Sequence, residues 1–215
     1  VVLVGTLDTK GHELEYMRDR VREAGLEVVL VDVGVLDEPQ VRADISREEV
    51  AEAAGADHSE LVDEADRGRA VEVMGRGAGI VLSRLHDEGR LQGAAAVGGS
   101  GNSSIAAAAM RNLPVGVPKL IVSTVASGDT RPYVGAKDVT MMYSVVDIAG
   151  INRISARILT NAAAALAGMA KATVPPLGEE RPLIAASMFG VTTAGVTVAR
   201  ERLEELGYEV LVFHQ

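Results

Sequence analysis

Short apolar segments alternate with helical segments along the first part of this chain, and that alternation restricts its fold more than any other feature. Val1 to Thr6 and Val28 to Val33 are apolar runs of strand length. Between them, His12 to Ala24 has helical character, and Gly25 ends it. Two buried strands joined by a helix predict a βαβ unit with parallel strands and a right-handed crossover.

Further segments continue the same order. Strands are predicted at Gly93 to Val97, Lys119 to Ser123 and Val139 to Val146, and an alanine-rich helix at Asn152 to Lys171. The intervening segment Asp57 to Gly68 is polar and predicted to be exposed. The fold class is therefore α/β, with an open doubly wound parallel sheet of the Rossmann-like kind.

A proline-containing segment divides the chain. Residues 1–172 are predicted to form one α/β domain, and residues 173–180, with Pro175 and Pro176, a linker. Residues 181–215 restart a strand-helix-strand order and are predicted to be the incomplete start of a second α/β domain.

A glycine and hydroxyl run follows the predicted strand that ends at Val97. Glycines let a backbone approach an anion closely, serine hydroxyls donate to its oxygens, and a helix N-terminus attracts negative charge. This run predicts a phosphate site, although the same glycines also suit a plain strand-to-helix turn. The candidate binding residues are Gly98, Gly99, Ser100, Gly101, Asn102, Ser103 and Ser104.

A second polar segment, Thr6 to Lys10, follows the first strand. Lys10 is a candidate for a phosphate, and Asp8 for a ribose hydroxyl or the waters of a magnesium ion. Thr6 and Thr9 add hydroxyl groups to the same segment. The alternative is a polar entry to the following helix with Thr9 as its N-cap.

A third polar segment follows the strand that ends at Ser123 and lacks helical or strand periodicity, which is typical of a binding loop. Ligands of open parallel sheets bind at the carboxyl ends of the strands, where all three segments fall. Asp129 joins Asp8 as a candidate ligand for Mg²⁺. The candidate binding residues of this segment are Ser123, Thr124, Ser127, Gly128 and Asp129.

Charge and composition narrow the classes of ligand. The net charge is −9, yet residues 91–178 carry 7 basic and 3 acidic residues, which favours a locally held anion. Overall acidity and 3% aromatic residues argue against nucleic-acid binding. The chain has no cysteine, its four histidines lack zinc-site spacing, and no apolar run is long enough to span a membrane. A cytoplasmic location is expected.

Several motifs together resemble one family. GTLDTKG at 5–11, GGSGNSS at 98–104, LPVGVPKLIVSTVASGD at 113–129, PYVG at 132–135 and MMYSVVDIAGINRIS at 141–155 resemble the ATP-binding domain family of the tomato mosaic virus resistance protein type. A large, poorly characterised bacterial family shares that domain. Its glycine loop more often reads GGSGGT, from which Asn102, Ser103 and Ser104 depart mildly.

The resemblance implies an ATP-binding α/β domain followed by a second α/β domain, usually in a dimer. The leading hypothesis is a binding protein for Mg-ATP, in which the nucleotide is a structural or regulatory ligand and is turned over slowly or not at all. The alternative is a metabolic enzyme, hydrolase or lyase-like, with its active site between the two domains and Asp129 or Asp147 as acid/base or metal ligand.

Overall fold

The computed structural model describes residues 1–176 and 180–214, which form two compact units, Val1–Ala172 and Thr173–Gln215. Residues 177–179 of the predicted linker lie outside the described residues. Within the described ranges, no helix is both long and apolar enough to cross a lipid bilayer.

The first unit is built on a sheet of five parallel strands in the order β2-β1-β3-β4-β5. The predicted Rossmann-like α/β fold is confirmed. The strands are β1 (Val2–Gly5), β2 (Val29–Asp32), β3 (Ala94–Gly98), β4 (Lys119–Ser123) and β5 (Thr140–Tyr143). The helices are α1 (Leu7–Glu23), α2 (Arg47–Ala53), α3 (His58–Glu64), α4 (Arg67–Asp87), α5 (Ser100–Met110), α6 (Arg131–Val134) and α7 (Arg153–Lys171).

Strands β1 to β4 are largely apolar and buried, and helices cover both faces of the sheet. Successive residues of a strand point to opposite faces, so Leu3 packs with α1 and α7 while its neighbours Val2 and Val4 pack with α2, α4 and α5. The central strand β3 carries Ala94, Ala95 and Ala96, all fully buried. Both sides of the sheet are therefore core.

The strand order reverses its direction once, between β1 and β3, and this position is the switch point of the sheet. The helix that follows β1, α1, lies on one face, and the helix that follows β3, α5, lies on the other. Because β1 and β3 are neighbours, their following helices separate at the carboxyl end of the sheet and leave a crevice. Ligands of doubly wound sheets bind in such a crevice.

Two sequence-based expectations about local structure are wrong. Helix α1 begins at Leu7, not at His12, so its N-cap is Thr6 rather than Thr9. The segment predicted to be polar and exposed contains α3, which buries His58 and Leu61. The N-terminus of α7 is capped by Asn152 in a capping box with Ser155.

The described residues of the second unit form a parallel pair of strands, a short 3-10 turn (Gly190–Thr192) and one α-helix. Strands β6 (Leu183–Met188) and β7 (Glu209–His214) pair in register from Leu183 with Glu209 to Met188 with His214. Helix α8 (Thr193–Glu205) connects them. This is the strand-helix-strand order expected from the sequence.

Candidate functional site

The crevice at the switch point is a cleft of about 650 Å³, within the range of small-molecule sites. Two of the three predicted binding segments meet in it. The cleft-lining residues from those segments are Thr6, Asp8, Thr9, Lys10, Gly99, Ser100, Gly101 and Asn102.

The N-terminus of α5 forms one wall of the cleft. Its N-cap is Gly99, which offers no side-chain cap, and the first intrahelical bond runs from the Ser103 N–H to the Gly99 carbonyl. The N–H groups of Ser100, Gly101 and Asn102 therefore have no acceptor within the helix. Free N–H groups at the positive end of a helix suit an anion.

The start of α1 forms the adjacent wall, and its cap comes from a distant strand. The Leu7 N–H donates to Asp32 Oδ1 (3.0 Å), and the Gly34 N–H donates to the same oxygen (2.8 Å). Asp32 is buried at the end of β2. Burial raises the pKa of Asp32 above its ordinary value, and the negative charge of Asp8 acts in the same direction.

Asp8 is held rigidly at the floor of the cleft. Its Oδ2 accepts from the Leu36 N–H (2.9 Å), and its backbone carbonyl accepts from Gln40 Nε2 (2.8 Å). A Cβ on Gly34 would lie 2.8 Å from Asp8 Cγ, so only glycine leaves room for this carboxylate. Asp8 is 6% exposed, and its Oδ1 accepts no hydrogen bond from the described residues.

Lys10 lines the cleft, but its ammonium is already engaged. Its Nζ donates to the carbonyl of Ile148, in the segment between β5 and α7. Lys10 also interrupts the helical geometry of α1, with φ −128° and ψ 18°. Glu13, buried one turn further, accepts from the Gly150 N–H (2.7 Å). Helix α1 thus fixes the segment 148–150 at the sheet edge.

Sequence reasoning missed one basic residue of the cleft. Arg67, at the start of α4, lines the cleft, and its Nη2 lies 3.2 Å from the position of a Cβ on Gly101. Within residues 1–176 and 180–214, it forms no ion pair at 4.0 Å or less. An exposed arginine beside the first turn of α5 adds positive charge where an anion would bind.

Much of the remaining lining of the cleft is apolar and was also not predicted. It is built by the chain after β2 and by α3, α4 and α5. Its apolar residues include Val33, Val35, Leu36, Leu61, Val62, Ala70, Val71 and Ile105. A ligand that suits this lining combines an anionic group with a flat or apolar group. Periodicity gave no signal here, because these residues come from four separate segments.

The third predicted segment is attached to the site without lining the cleft. Ser123 is fully buried, and its hydroxyl lies 2.7 Å from the Ser103 hydroxyl. Thr124 and Ser127 lie in a 3-10 turn that Gly128 ends. Asp129 is exposed and pairs with Arg131 (2.7 Å), which holds the pKa of Asp129 below its usual value through that hydrogen bond.

Gly98, Asn102 and Ser104 make contacts that hold the glycine run in place. A Cβ on Gly98 would lie 2.6 Å from Asn102 Cβ, so the end of β3 is tightly packed. Asn102 Nδ2 donates to the Val97 carbonyl (2.6 Å), while its buried Oδ1 has no donor among the described residues. Ser104 Oγ donates to the Ser100 carbonyl (3.0 Å).

Comparisons with known proteins match the whole chain. The model of the N-terminal domain of "Uncharacterised protein family (UPF0261)" matches residues 1–175, and that of its C-terminal domain matches residues 181–215. A "UPF0261 protein" of Clostridium tetani is 54% identical over 214 residues, which is 100% of this chain and 53% of the relative.

A plant protein is also similar. The "ToMV resistance protein Tm-1(GCR237)" of Solanum lycopersicum is 38% identical over 234 residues, which is 100% of this chain and 31% of the relative. The resemblance inferred from the sequence motifs is confirmed. The chain spans about half the length of the bacterial relatives and about a third of the plant protein.

Proposed function

The chain belongs to the uncharacterised protein family UPF0261, and on that premise we propose that its first unit binds Mg-ATP in the switch-point cleft. The observation that carries the proposal is the meeting of Thr6–Lys10 and Gly99–Asn102 around one cleft of about 650 Å³. In the proposed arrangement the phosphates lie at the N-terminus of α5. The purine packs against the apolar part of the lining.

Three features support an anionic, nucleotide-like ligand. The first turn of α5 leaves N–H groups without helical acceptors, and Gly99 and Gly101 leave them accessible. Arg67 brings a cation to the same turn. The apolar residues of the lining offer a surface for a ring system.

In the proposed complex, phosphate oxygens of ATP supply part of the coordination of the Mg²⁺ ion. Mg²⁺ in nucleotide sites keeps several waters and takes one or two carboxylates together with phosphate oxygens. Of the two predicted metal ligands, Asp8 lines the cleft and has an oxygen without a hydrogen-bond partner among the described residues, whereas Asp129 is paired with Arg131. Asp8 fits the ion. Asp129 is not part of the proposed site.

Calorimetric titration of the chain with ATP and Mg²⁺ tests the proposal. Gly101→Val puts a branched side chain in front of the free N–H groups, against only the movable end of Arg67. It should abolish binding while the protein stays folded. Gly168→Val is the matched control, because Gly168 is an exposed glycine of α7 with open space around it. Wild-type protein that does not bind Mg-ATP would refute the proposal.

A long-incubation assay for phosphate release separates a regulatory nucleotide from a substrate. We propose that the nucleotide is a structural or regulatory ligand, so release should stay at the level of the Gly101→Val variant. Release by wild-type protein alone would instead favour an enzyme.

A further inference from the structure

Helix α3 forms part of the cleft wall, yet few of its side chains are buried. Leu61 and Val62 of α3 line the cleft, and so does Ala65 directly after it. Across residues 57–69, only His58 and Leu61 are buried. A segment with so few buried side chains opens more readily than the core of its domain.

A residue in the left-handed region stands on each side of α3. Gly55, which follows α2, has a φ of +73°, and Ala65, which follows α3, has a φ of +49°. Ala65 is one of two non-glycine residues with a positive φ within residues 1–176 and 180–214, and this conformation is unfavourable for a residue with a Cβ. Hinges are residues at the ends of elements that absorb a change in φ and ψ. Gly55 and Ala65 are placed to do so.

The helices on the two sides of Ala65 are capped independently. Asp57 accepts a hydrogen bond from the first turn of α3, and Asp66 accepts one from the first turn of α4, each at 2.8 Å. The ion pair between Glu64 and Arg69 (2.6 Å) spans the junction, but both side chains are exposed and such pairs add little. Helix α3 can therefore move about Ala65 while both helices keep their caps.

One buried hydrogen bond fastens α3 to a residue beside the cleft. His58 Nε2 donates to the Gly34 carbonyl (3.0 Å). The Gly34 N–H donates to Asp32 Oδ1, and the Asp8 carboxylate packs against the Cα of Gly34. The position of α3 therefore depends on the same glycine that leaves room for Asp8.

We infer that α3 is a lid, hinged at Gly55 and Ala65, which opens to admit the ligand and which the bound ligand stabilises in the closed position. This inference rests on the proposed function and adds a moving element to its site. A ligand shifts a conformational equilibrium only by binding one state more tightly. Contacts of the purine with Leu61 and Val62, which are lost when α3 opens, supply that difference.

Hydrogen exchange of the wild-type chain, followed by mass spectrometry, tests the lid without and with Mg-ATP. In the free protein, α3 should exchange at least about 10-fold faster than residues 73–85 of α4, because its opening is local. Mg-ATP should slow the exchange of α3 at least about 10-fold. The short exposed helix α6, which does not line the cleft, is the internal reference and should not change.

Gly55→Ala and Gly89→Ala form a matched pair of variants. Both glycines follow a helix, their φ values are +73° and +71°, and a Cβ on either meets open space in the part of the chain that the structure describes. Alanine therefore carries the same left-handed cost at both positions, but opening of α3 relieves it only at Gly55.

Gly55→Ala should consequently speed both the exchange of α3 and the release of a fluorescent ATP derivative with Mg²⁺ about 5- to 30-fold. Gly89→Ala should leave both rates close to those of wild type. Stopped-flow fluorescence measures the release, and thermal melting checks that each variant is folded.

Three results overturn the lid. The first is exchange of α3 in the free protein as slow as that of residues 73–85. The second is Mg-ATP that binds in calorimetry without slowing the exchange of α3, and the third is an equal release rate in Gly55→Ala and Gly89→Ala; both of these leave the nucleotide proposal standing. Wild-type protein that does not bind Mg-ATP in calorimetry refutes the proposed function, and the ligand-stabilised lid with it.

Discussion

The hydroxyl groups of Ser103 and Ser123 lie 2.7 Å apart with both side chains fully buried, so the first turns of α5 are hydrogen-bonded to the end of β4. Ser123 Oγ also accepts from the Val125 N–H (3.2 Å). One buried contact thus joins two of the three segments that the sequence marks as polar.

Replacing Ser123 with alanine should destabilise the protein by about 1–3 kcal/mol, because Ser103 Oγ and the Val125 N–H both lose a partner. Urea unfolding of the variant measures the change. Ser104→Ala is the control, since that hydroxyl bonds only within its own helix; its stability should stay close to that of wild type. Equal stability of Ser123→Ala and wild type would show that the buried pair contributes nothing.

The packing of α4 on α2 depends on a glycine. A Cβ on Gly77 would lie 2.0 Å from the carbonyl oxygen of Val50, which is backbone and cannot move alone. We expect Gly77→Ala to cost roughly 1–3 kcal/mol in thermal unfolding, despite the better helix propensity of alanine.

Gly168→Ala serves as the comparison for Gly77→Ala. Gly168 lies in the interior of α7 with no atom within 4 Å of a Cβ. Alanine there should raise stability by up to about 1 kcal/mol. If both alanine variants change stability in the same direction, the close helix contact is not what requires Gly77.

The buried carboxyl of Asp32 predicts an unusual pH dependence. Burial, and secondarily Asp8, raise its folded-state pKa, so its contribution to stability is full below the unfolded Asp pKa of about 3.9 and is lost as pH rises through the folded value. Asp32→Asn keeps an oxygen for the Leu7 and Gly34 N–H groups. It should be more stable than wild type at neutral pH.

This advantage of Asp32→Asn should disappear near pH 4, as followed by urea unfolding across pH. A constant difference at every pH would mean that the Asp32 charge is not the cause. Asp129→Asn, an exposed carboxylate, should show no such crossover.

Lys119 is buried at the start of β4, and its ammonium donates to the Pro114 and Val117 carbonyls and to Asp138 Oδ1, each at 2.7–2.8 Å. Burial acts to raise the pKa of Asp138, but the hydrogen bonds from Lys119 and the Gly116 N–H outweigh it and lower that pKa. Ionised Asp138 therefore stabilises the folded protein at pH values above the unfolded Asp pKa. This stabilisation is lost as pH falls through the folded-state pKa of Asp138.

Asp138→Asn should therefore lower stability by roughly 1–3 kcal/mol at neutral pH and flatten the loss of stability on acidification. Unfolding by urea at pH 7 and at pH 3 measures both effects. If the pH dependence of stability is the same in Asp138→Asn and wild type, protonation of Asp138 beside Lys119 does not cause the loss of stability in acid.

Arg67 should be a specificity residue for the anionic end of the ligand. Arg67→Gln is expected to weaken Mg-ATP binding about 10-fold, more at low ionic strength, because it removes the cation beside Gly101. Arg69→Gln is the control, since Arg69 pairs with Glu64. If the two variants weaken binding equally, Arg67 acts only through the overall charge of the protein and not through its place beside Gly101.

The strands of the sheet could be predicted because each one is marked by a continuous local run of apolar residues. Uniform apolar runs such as Val28 to Val33 mark strands that are buried on both faces, and the strand-helix order implies parallel pairing. The start of α1 was not predictable in this way, because its cap, Asp32, lies 25 residues along the chain from the Leu7 N–H. No sequence pattern near Leu7 indicates that its N–H group is bonded to Asp32.

The residues of the candidate site also divide into those that a local sequence pattern predicts and those that it does not. Glycines and hydroxyls marked Gly99 to Asn102 in the sequence, since a close backbone approach needs particular residue types. Arg67 and the apolar wall around Leu61 carry no such signature. Helix α3 escaped detection because its burial depends on a distant contact, from His58 Nε2 to the Gly34 carbonyl (3.0 Å).

The two halves of the cleft, Thr6–Lys10 and Gly99–Asn102, are contributed by segments about ninety residues apart that meet only when β1 pairs with β3. During synthesis from the N-terminus, the first half emerges long before the second. The cleft of a nascent chain is therefore incomplete until α5 has left the ribosome. Any ligand of this cleft would bind only the folded unit and stabilise it against unfolding.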